Sequence, residues 1–250
     1  MKLRLDKLLH ERGFSSSRER AQALILAGRV LVNEQKVEKP GTAVQADATI
    51  RLLGEDLRYV SRGGLKLERA LEHWRVDLNG TTCLDIGAST GGFTDCMLQH
   101  GAAKVIAVDT GYGQIEARLR QDARVILLEK TNARYLTAEQ LPARIDFLGL
   151  DVSFISATLV LPAVVGAIRR RAALSPGRFE AVVLVKPQFE AGREAISKGG
   201  IIRDEKAQLA ALERVRQAIA QLGGSESESI DSPILGAEGN REFLLHSRFV

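Results

Sequence analysis

Five short apolar runs punctuate the middle of this chain, TCLDIG, KVIAVD, RVILLE, DFLGLDV and AVVLVKP, and each gives way to a helix-like stretch. They lack the alternation of polar and apolar residues that a half-solvated sheet requires, so they read as strands covered on both faces. Parallel strands need crossover helices between them. The expected architecture is therefore an α/β domain built on a mostly parallel sheet. Helices are expected around residues 91–100, 113–121, 156–171 and 204–222. Two further strand-like segments, SIDSPILG and REFLLHSRF, close the chain without a helix between them. They read as an antiparallel hairpin at one sheet edge.

A sheet of this kind takes its ligands at the carboxyl ends of its strands. Asp85, Asp109, Asp151 and Lys186 stand at four of those ends. Unpaired charge is costly in a core, so four ionisable groups at neighbouring crevice positions point to a site.

The first run leads into LDIGASTGGFTD, residues 84–95, where small residues and glycines let backbone approach a ligand closely. A phosphate-binding loop would need G-x-x-x-x-G-K-[ST], and no lysine follows here. A dinucleotide fingerprint would need a glycine where Ser89 stands. GASTG is also a formal G-x-S-x-G, the nucleophile elbow of serine hydrolases, with Asp151 and His246 following in the required order. That reading has no oxyanion-supplying strand ahead of the motif, and its histidine falls in an edge-strand pattern. What remains is a loop of Gly87, Ala88, Ser89, Gly91, Gly92 and Phe93 packed against a nucleoside. Asp109 is placed to accept ribose hydroxyls, and Asn132 to contact an adenine. Asp85 and Asp151 would favour a cationic ligand. The set fits S-adenosylmethionine.

The excess charge is concentrated at the start. Residues 1–60 carry 11 Lys/Arg against 8 Asp/Glu, and the remainder 24 against 23. Such asymmetry points to a polyanionic partner for the N-terminal part. There, Leu5, Leu8 and Leu9 give one short amphipathic helix ended by Gly13. SSSRERAQALILAG gives a second, with Ser16 and Glu19 at the spacing of a capping box and Gly28 to stop it. RVLVN and QKVEK alternate around Asn33-Glu34, and a Pro40-Gly41 turn leads to ATIRLL, so a small antiparallel sheet follows. RLDKLL and SRERAQALILAGRVLVN resemble the RNA-binding domain named after small-subunit ribosomal protein S-four. The resemblance implies a small α+β domain presenting Arg4, Lys7, Arg18, Arg20, Arg29 and Lys36 to structured RNA. The expected division is residues 1–60 for this domain, SRGG at 61–64 as linker, and 65–250 for the α/β domain. Phe189 to Arg203 is a candidate lid or RNA-contacting loop.

No apolar run approaches the ~18 residues that span a bilayer, and KLRLDKLLHERG lacks the pattern of a signal peptide. Cys83 and Cys96 have no metal-ligand spacing and read as buried thiols. The expectation is a cytoplasmic protein with neither metal nor membrane association.

YVSRGGLKLERAL, CLDIGASTGGFTDCMLQHGA, VIAVDTGYGQ, LEKTNARYL, DVSFIS, LVKPQFEAGRE, KGGIIRD and EGNREFLL together resemble the TlyA-type RNA ribose methyltransferases, historically called haemolysins. The resemblance runs nearly end to end, and residues 65–250 are similar to the wider FtsJ-type ribose methyltransferases. It implies a Rossmann-like class I methyltransferase domain and transfer from S-adenosylmethionine to a 2′-hydroxyl, with cytidine in ribosomal RNA within ribosomal subunits as target. It also implies a reacting set of Lys66, Asp151, Lys186 and Glu242. A lysine accepts a hydroxyl proton only as the neutral amine, and the ordinary lysine value of about 10.4 disfavours that form. Burial, a second lysine and a sulfonium charge all shift the balance toward it. Lys186 is the expected base, Lys66 its neighbouring cation, and Asp151 and Glu242 the orienting carboxylates. A membrane-active haemolysin would instead need an insertable segment or a secretion signal.

Overall fold

The computed structural model describes residues 2–15, 17–53, 58–172, 177–191, 200–236 and 239–250. The chain divides into two compact units, Met1–Leu57 and Arg58–Val250.

The first unit runs β1 (Lys2–Arg4), α1 (Leu5–Glu11), α2 (Arg18–Leu26), β2 (Val30–Val32), β3 (Gln35–Lys36), β4 (Ala43–Gln45) and β5 (Ile50–Leu52). Leu5, Leu8 and Leu9 of α1 pack with Ala21, Leu24 and Ile25 of α2, and Val30 and Ile50 join the same core. Ser16 lies outside the described residues. The cap on α2 is Ser17, whose hydroxyl accepts from the Arg20 backbone N–H at 3.1 Å. Asn33 and Glu34 both take positive φ, 49° and 64°. That is the primed turn whose twist suits a two-residue hairpin between β2 and β3. The sheet has the order β3-β2-β5, and a separate antiparallel pair, β1 with β4, was not anticipated. Neither of those strands exceeds three residues, so neither carries a period of its own.

The second unit continues with α3 (Gly63–Trp74), β6 (Thr82–Ile86), α4 (Gly92–Gln99), β7 (Lys104–Val108), α5 (Ala117–Arg120), β8 (Val125–Leu128) and β9 (Phe147–Leu150). After these come α6 (Ala157–Ala172), β10 (Phe179–Val185), α7 (Pro187–Glu190), α8 (Glu205–Gln221), β11 (Gly224–Asp231) and β12 (Phe243–Phe249). One seven-stranded sheet has the order β11-β12-β10-β9-β6-β7-β8. The five central apolar runs are its parallel strands, and β12 lies antiparallel between β10 and β11. Successive strand residues feed opposite faces. Leu84, Ile106, Leu148 and Val183 pack under α6 and α8. Cys83, Val105, Phe147 and Val182 pack with Leu67, Leu71 and Met97 of α3 and α4. From β6 the chain builds outward through β7 and β8 on one side, then returns to build β9 and β10 on the other. The reversal between β6 and β9 opens a crevice at their carboxyl ends.

Several expected boundaries move. Gly63 and Gly64 open α3 rather than a linker, and Ser61 also belongs to the second unit. The helix expected over 113–121 shrinks to α5, because Gly113 takes a positive φ and Ile115 turns inward beside Gly91. The penultimate strand begins at Gly224 and ends at Asp231, so the PILG of the expected segment lies beyond it. Of the expected lid, residues 192–199 fall outside the described residues. Phe189 belongs to α7, and the stretch from Gly200 is tied to Asn240 through the Gly200 carbonyl and the Ile202 N–H, both at 3.0 Å.

Candidate active site

The loop from β6 to α4 follows the backbone constraint that its glycines suggest. Gly87 has φ +86°, and a Cβ there would lie 2.2 Å from the Asp151 carbonyl oxygen. The loop thus crosses directly over the end of β9. Gly91 caps α4 at φ +97°, against Leu119 and Ile115. Asp109 holds the loop from the other side: Oδ2 accepts from the Ser89 N–H at 2.8 Å, and Oδ1 from the Gly111 N–H at 2.7 Å. A carboxylate oxygen accepts more than one hydrogen bond, so each can still take a ligand hydroxyl.

Two cavities meet at this crevice. One, of about 430 Å³, is lined by Ser89, Asp109, Thr131, Asn132, Asp151 and Phe154, among others. The second, of about 450 Å³, contains Lys66, Asp151, Ser153, Lys186 and Glu242. Gly87, Ser89, Asp151, Ser153 and Phe154 line both. The expected cofactor loop is divided between them, since Ala88, Gly92 and Phe93 border only the second, and Gly91 borders neither.

Four elements deliver the ionisable side chains of the second cavity. Lys186 follows β10, and its Nζ lies 2.5 Å from Asp151 Oδ1 and donates to Ser153 Oγ at 2.8 Å. Lys66, from the first turns of α3, donates to Glu242 Oε2 at 2.5 Å. Lys66 is 9% exposed and Glu242 3%, just ahead of β12. A buried charge persists only when paired, and each lysine here has its own carboxylate. Arg241, beside Glu242 in sequence, goes instead to Asp231 and Glu205.

Asp85 departs from expectation. It lines neither cavity, and its carboxylate is fully buried beneath the loop, accepting from Thr94 Oγ1 at 2.6 Å while Oδ1 has no partner. Strand alternation turns it toward α4, as it does Cys83 two residues earlier. Burial, aided by the nearby Asp151, pushes its carboxyl up to about 7 even against the Thr94 hydrogen bond. Asn132 does border the first cavity, and its Oδ1 caps a short 3-10 turn by accepting from the Arg134 N–H at 3.0 Å.

The rival nucleophile arrangement does not assemble. His246 sits inside the sheet on β12, opposite Val182, three residues and roughly 10 Å from the strand ends. Its Nε2 is engaged by Glu180 at 2.7 Å, and its ring stacks on Trp74.

Sequence reasoning missed three contributors. Ser153 contacts Lys186. Phe154 is 92% exposed at the mouth of both cavities with φ +64°. Glu190 accepts from the Ala157 N–H at 2.7 Å and from the Ser156 hydroxyl at 2.5 Å. Their signal lay in the fixed neighbourhood of DVSFIS and KPQFE, which periodicity does not read.

In the first unit, Arg4 and Arg18 both reach the fully buried carboxylate of Asp6, at 2.9 and 3.1 Å, with their side chains about half exposed. The hydrogen bond from Arg4 holds that carboxyl well below the ordinary carboxylate range. Lys7 pairs with Glu11, Lys36 with Glu38, and Arg29 Nε donates to the Leu53 carbonyl. Arg20 lies half-buried on α2. Among the described residues, no group of three His, Cys, Asp or Glu could hold a metal, and no helix is long and apolar enough to cross a membrane.

Both units resemble known families. The FtsJ-like methyltransferase family matches residues 59–249, and the S4 domain matches residues 3–50. A Bacillus subtilis protein carrying an rRNA methyltransferase name, YqxC, is 48% identical across 98% of this chain and 85% of its own. The 16S/23S rRNA (cytidine-2′-O)-methyltransferase TlyA of Mycobacterium tuberculosis is 42% identical over 98% of this chain and 89% of its own. Hemolysin A of Brachyspira hyodysenteriae is 41% identical over 98% and 99%. A solved Streptococcus thermophilus structure named as a hemolysin, 42% identical, superposes with a TM-score of 0.76 over all of this chain and 89% of that one. A methyltransferase of Aquifex aeolicus, only 12% identical, shares the fold with a TM-score of 0.51. The chain belongs to the FtsJ-like methyltransferase family and carries an S4 domain ahead of its catalytic domain.

Proposed function

We propose that this protein methylates the 2′-hydroxyl of a cytidine ribose in ribosomal RNA, in the cytoplasm and on ribosomal subunits, with S-adenosylmethionine as donor. The observation that carries the reading is the Lys186–Asp151 pair standing where two cavities meet, with a second buried pair, Lys66–Glu242, beside it.

The cavity bordered by Asp109 and Asn132 fits the cofactor. Asp109 retains acceptor capacity for two ribose hydroxyls, and a Cβ on Gly87 would collide with the Asp151 carbonyl, so the loop lies as close as backbone allows. Gly87, Ser89, Asp109, Asn132 and Asp151 would hold it. When bound, the cofactor supplies an electrophilic methyl group on a sulfonium, whose departure leaves a neutral thioether.

The remaining work belongs to the chain. A ribose hydroxyl is a weak nucleophile until its proton is drawn away as the oxygen attacks. Lys186 Nζ receives that proton in this reading. Asp151 holds Nζ at the junction of the cavities and stabilises the ammonium that forms. Lys66, paired with Glu242 in the same cavity, holds the target ribose or its phosphate. Phe154 offers an exposed aromatic face at the cavity mouth for the nucleobase. Arg4 and Arg18, forked on Asp6, together with Lys7, Arg20, Arg29 and Lys36, give the N-terminal domain its contacts with RNA phosphates.

Tritiated methyl transfer from S-adenosylmethionine to small and large ribosomal subunits, each purified from cells lacking this protein, tests the reading. Wild type should label one or both, and Lys186→Ala should label neither while still binding the cofactor. Undiminished labelling by Lys186→Ala would remove the lysine from its role. The absence of any transfer by wild type would remove the reaction.

A further inference from the structure

The side-chain nitrogen assigned as base is held by more than its carboxylate. Lys186 Nζ lies 2.5 Å from Asp151 Oδ1, an ion pair in which that oxygen accepts no hydrogen bond, and it donates to Ser153 Oγ at 2.8 Å; both partners come from the segment that follows β9. That segment is anchored at each end. The Asp151 N–H donates to the Ile86 carbonyl at 2.9 Å, and the Ala157 N–H to Glu190 at 2.7 Å. Between the anchors, Phe154 is forced to φ +64°. A bulky side chain avoids that conformation, and its presence next to Ser153 marks a loop whose shape is imposed by its surroundings.

A neutral lysine amine has two N–H bonds and one lone pair in tetrahedral array. With no acceptor, the amine rotates about its terminal C–N bond and the lone pair sweeps a cone. An N–H donated to a fixed acceptor stops that rotation, and Ser153 Oγ is such an acceptor. Ser153 lines both cavities, so the amine is fixed at their junction.

We propose that Ser153 is a positioning residue for methyl transfer, taking an N–H of Lys186 so that the amine lone pair is free to face the incoming hydroxyl. The inference rests on the reading of Lys186 as base. In the step it serves, a lone pair of the 2′-oxygen forms the new bond to the methyl carbon. The carbon–sulfur bond breaks with its electron pair remaining on sulfur, and the hydroxyl proton passes to Lys186 Nζ. Ser153 gains and loses nothing.

The test is single-turnover methyl transfer by the full chain, at saturating cofactor and ribosomal subunit, across pH 5.5–9.5. Wild type, Ser153→Ala, Ser153→Thr and Lys186→Ala are compared. The other ionisable groups lining the cavity with Lys186 are Asp151, Arg62 and the Lys66–Glu242 pair, all retained in the Ser153 variants. Ser153→Ala should lose roughly tenfold in rate. Ser153→Thr, which keeps the hydroxyl, should recover most of the rate. A Ser153→Ala enzyme with the wild-type rate would overturn the proposal. So would a loss at every pH that Ser153→Thr fails to restore, which would mark a packing role. If Lys186→Ala transfers methyl as wild type does, or wild type transfers none, the reading beneath the inference falls and takes it along. If Lys186→Ala is inactive and Ser153→Ala unaffected, the inference alone fails.

Discussion

At the scale of single residues, the site separates groups that carry charge to the reaction from groups that hold the loop in place. Lys186→Arg distinguishes charge from proton acceptance. The guanidinium can keep an ion pair with Asp151 but cannot deprotonate. Methyl transfer should fall by about 10²–10⁴-fold, the span of general base catalysis, while cofactor affinity measured calorimetrically stays within a few-fold. Near-normal turnover would mean that the nitrogen supplies only charge. Asp85 makes a prediction of the opposite kind. Its native carboxyl titrates near 7, against an ordinary value near 4 in the unfolded chain. Between those values the native state binds more protons, so this residue lowers stability as pH rises from 4 to 7 and no further above. Asp85→Asn should therefore flatten that slope and stabilise the cofactor-free protein at pH 8 by about 2–4 kcal/mol. Urea denaturation of both proteins at pH 5 and 8 reads it, and parallel pH slopes would refute the assignment. The sequence placed Asp85 at a strand end correctly but could not say which face it takes. Ser153 was invisible for a different reason, because a serine in a loop bears no period.

Among elements, what the sequence announces depends on how each earns its place. The five parallel strands are legible because burial on both faces demands continuous apolar runs, and α6 and α8 because they cover them. Elements defined by pairing or turning were read less well. β11 has the burial of a half-exposed edge and was displaced by several residues, and α5 yields to the glycines and Ile115 ahead of it. Glu190 illustrates why caps from distant sequence escape a linear reading. It is the last residue of α7, yet it satisfies the N-terminus of α6, where the Ala157 N–H would otherwise be an orphan donor. Burial raises its carboxyl above the ordinary glutamate value, so the cap carries a desolvation cost and is still retained. Glu190→Ala should cost roughly 1–2 kcal/mol of stability, as loss of a cap does. It should also lower the transfer rate by loosening the loop that carries Asp151 and Ser153. Thermal unfolding and single-turnover assays on the same preparation measure both, and a variant unchanged in each would show that α6 needs no such cap.

For the molecule as a whole, the unit Met1–Leu57 holds 10 Lys/Arg against 8 Asp/Glu, the same excess as the much longer second unit. The basic residues proved less available than their count implied, since Arg4, Arg18, Lys7 and Lys36 are each paired with a carboxylate of their own unit. Asp6 holds two arginines on one buried carboxylate, and each arginine side chain stays about half exposed. Arg18→Ala should weaken rRNA binding at low salt and reduce the slope of log K against log salt by roughly 0.7–0.9, the loss of one phosphate contact. Filter binding over a salt series measures it, and an unchanged slope would take Arg18 off the interface. The account as a whole stands on the chemistry performed at the junction of two cavities. Its most direct measurement is nucleoside mass spectrometry of rRNA methylated in vitro by wild type and by Lys186→Ala. The account predicts 2′-O-methylcytidine with wild type and none with the variant. A methyl group on a nucleobase, or the same ribose methylation without Lys186, would contradict it.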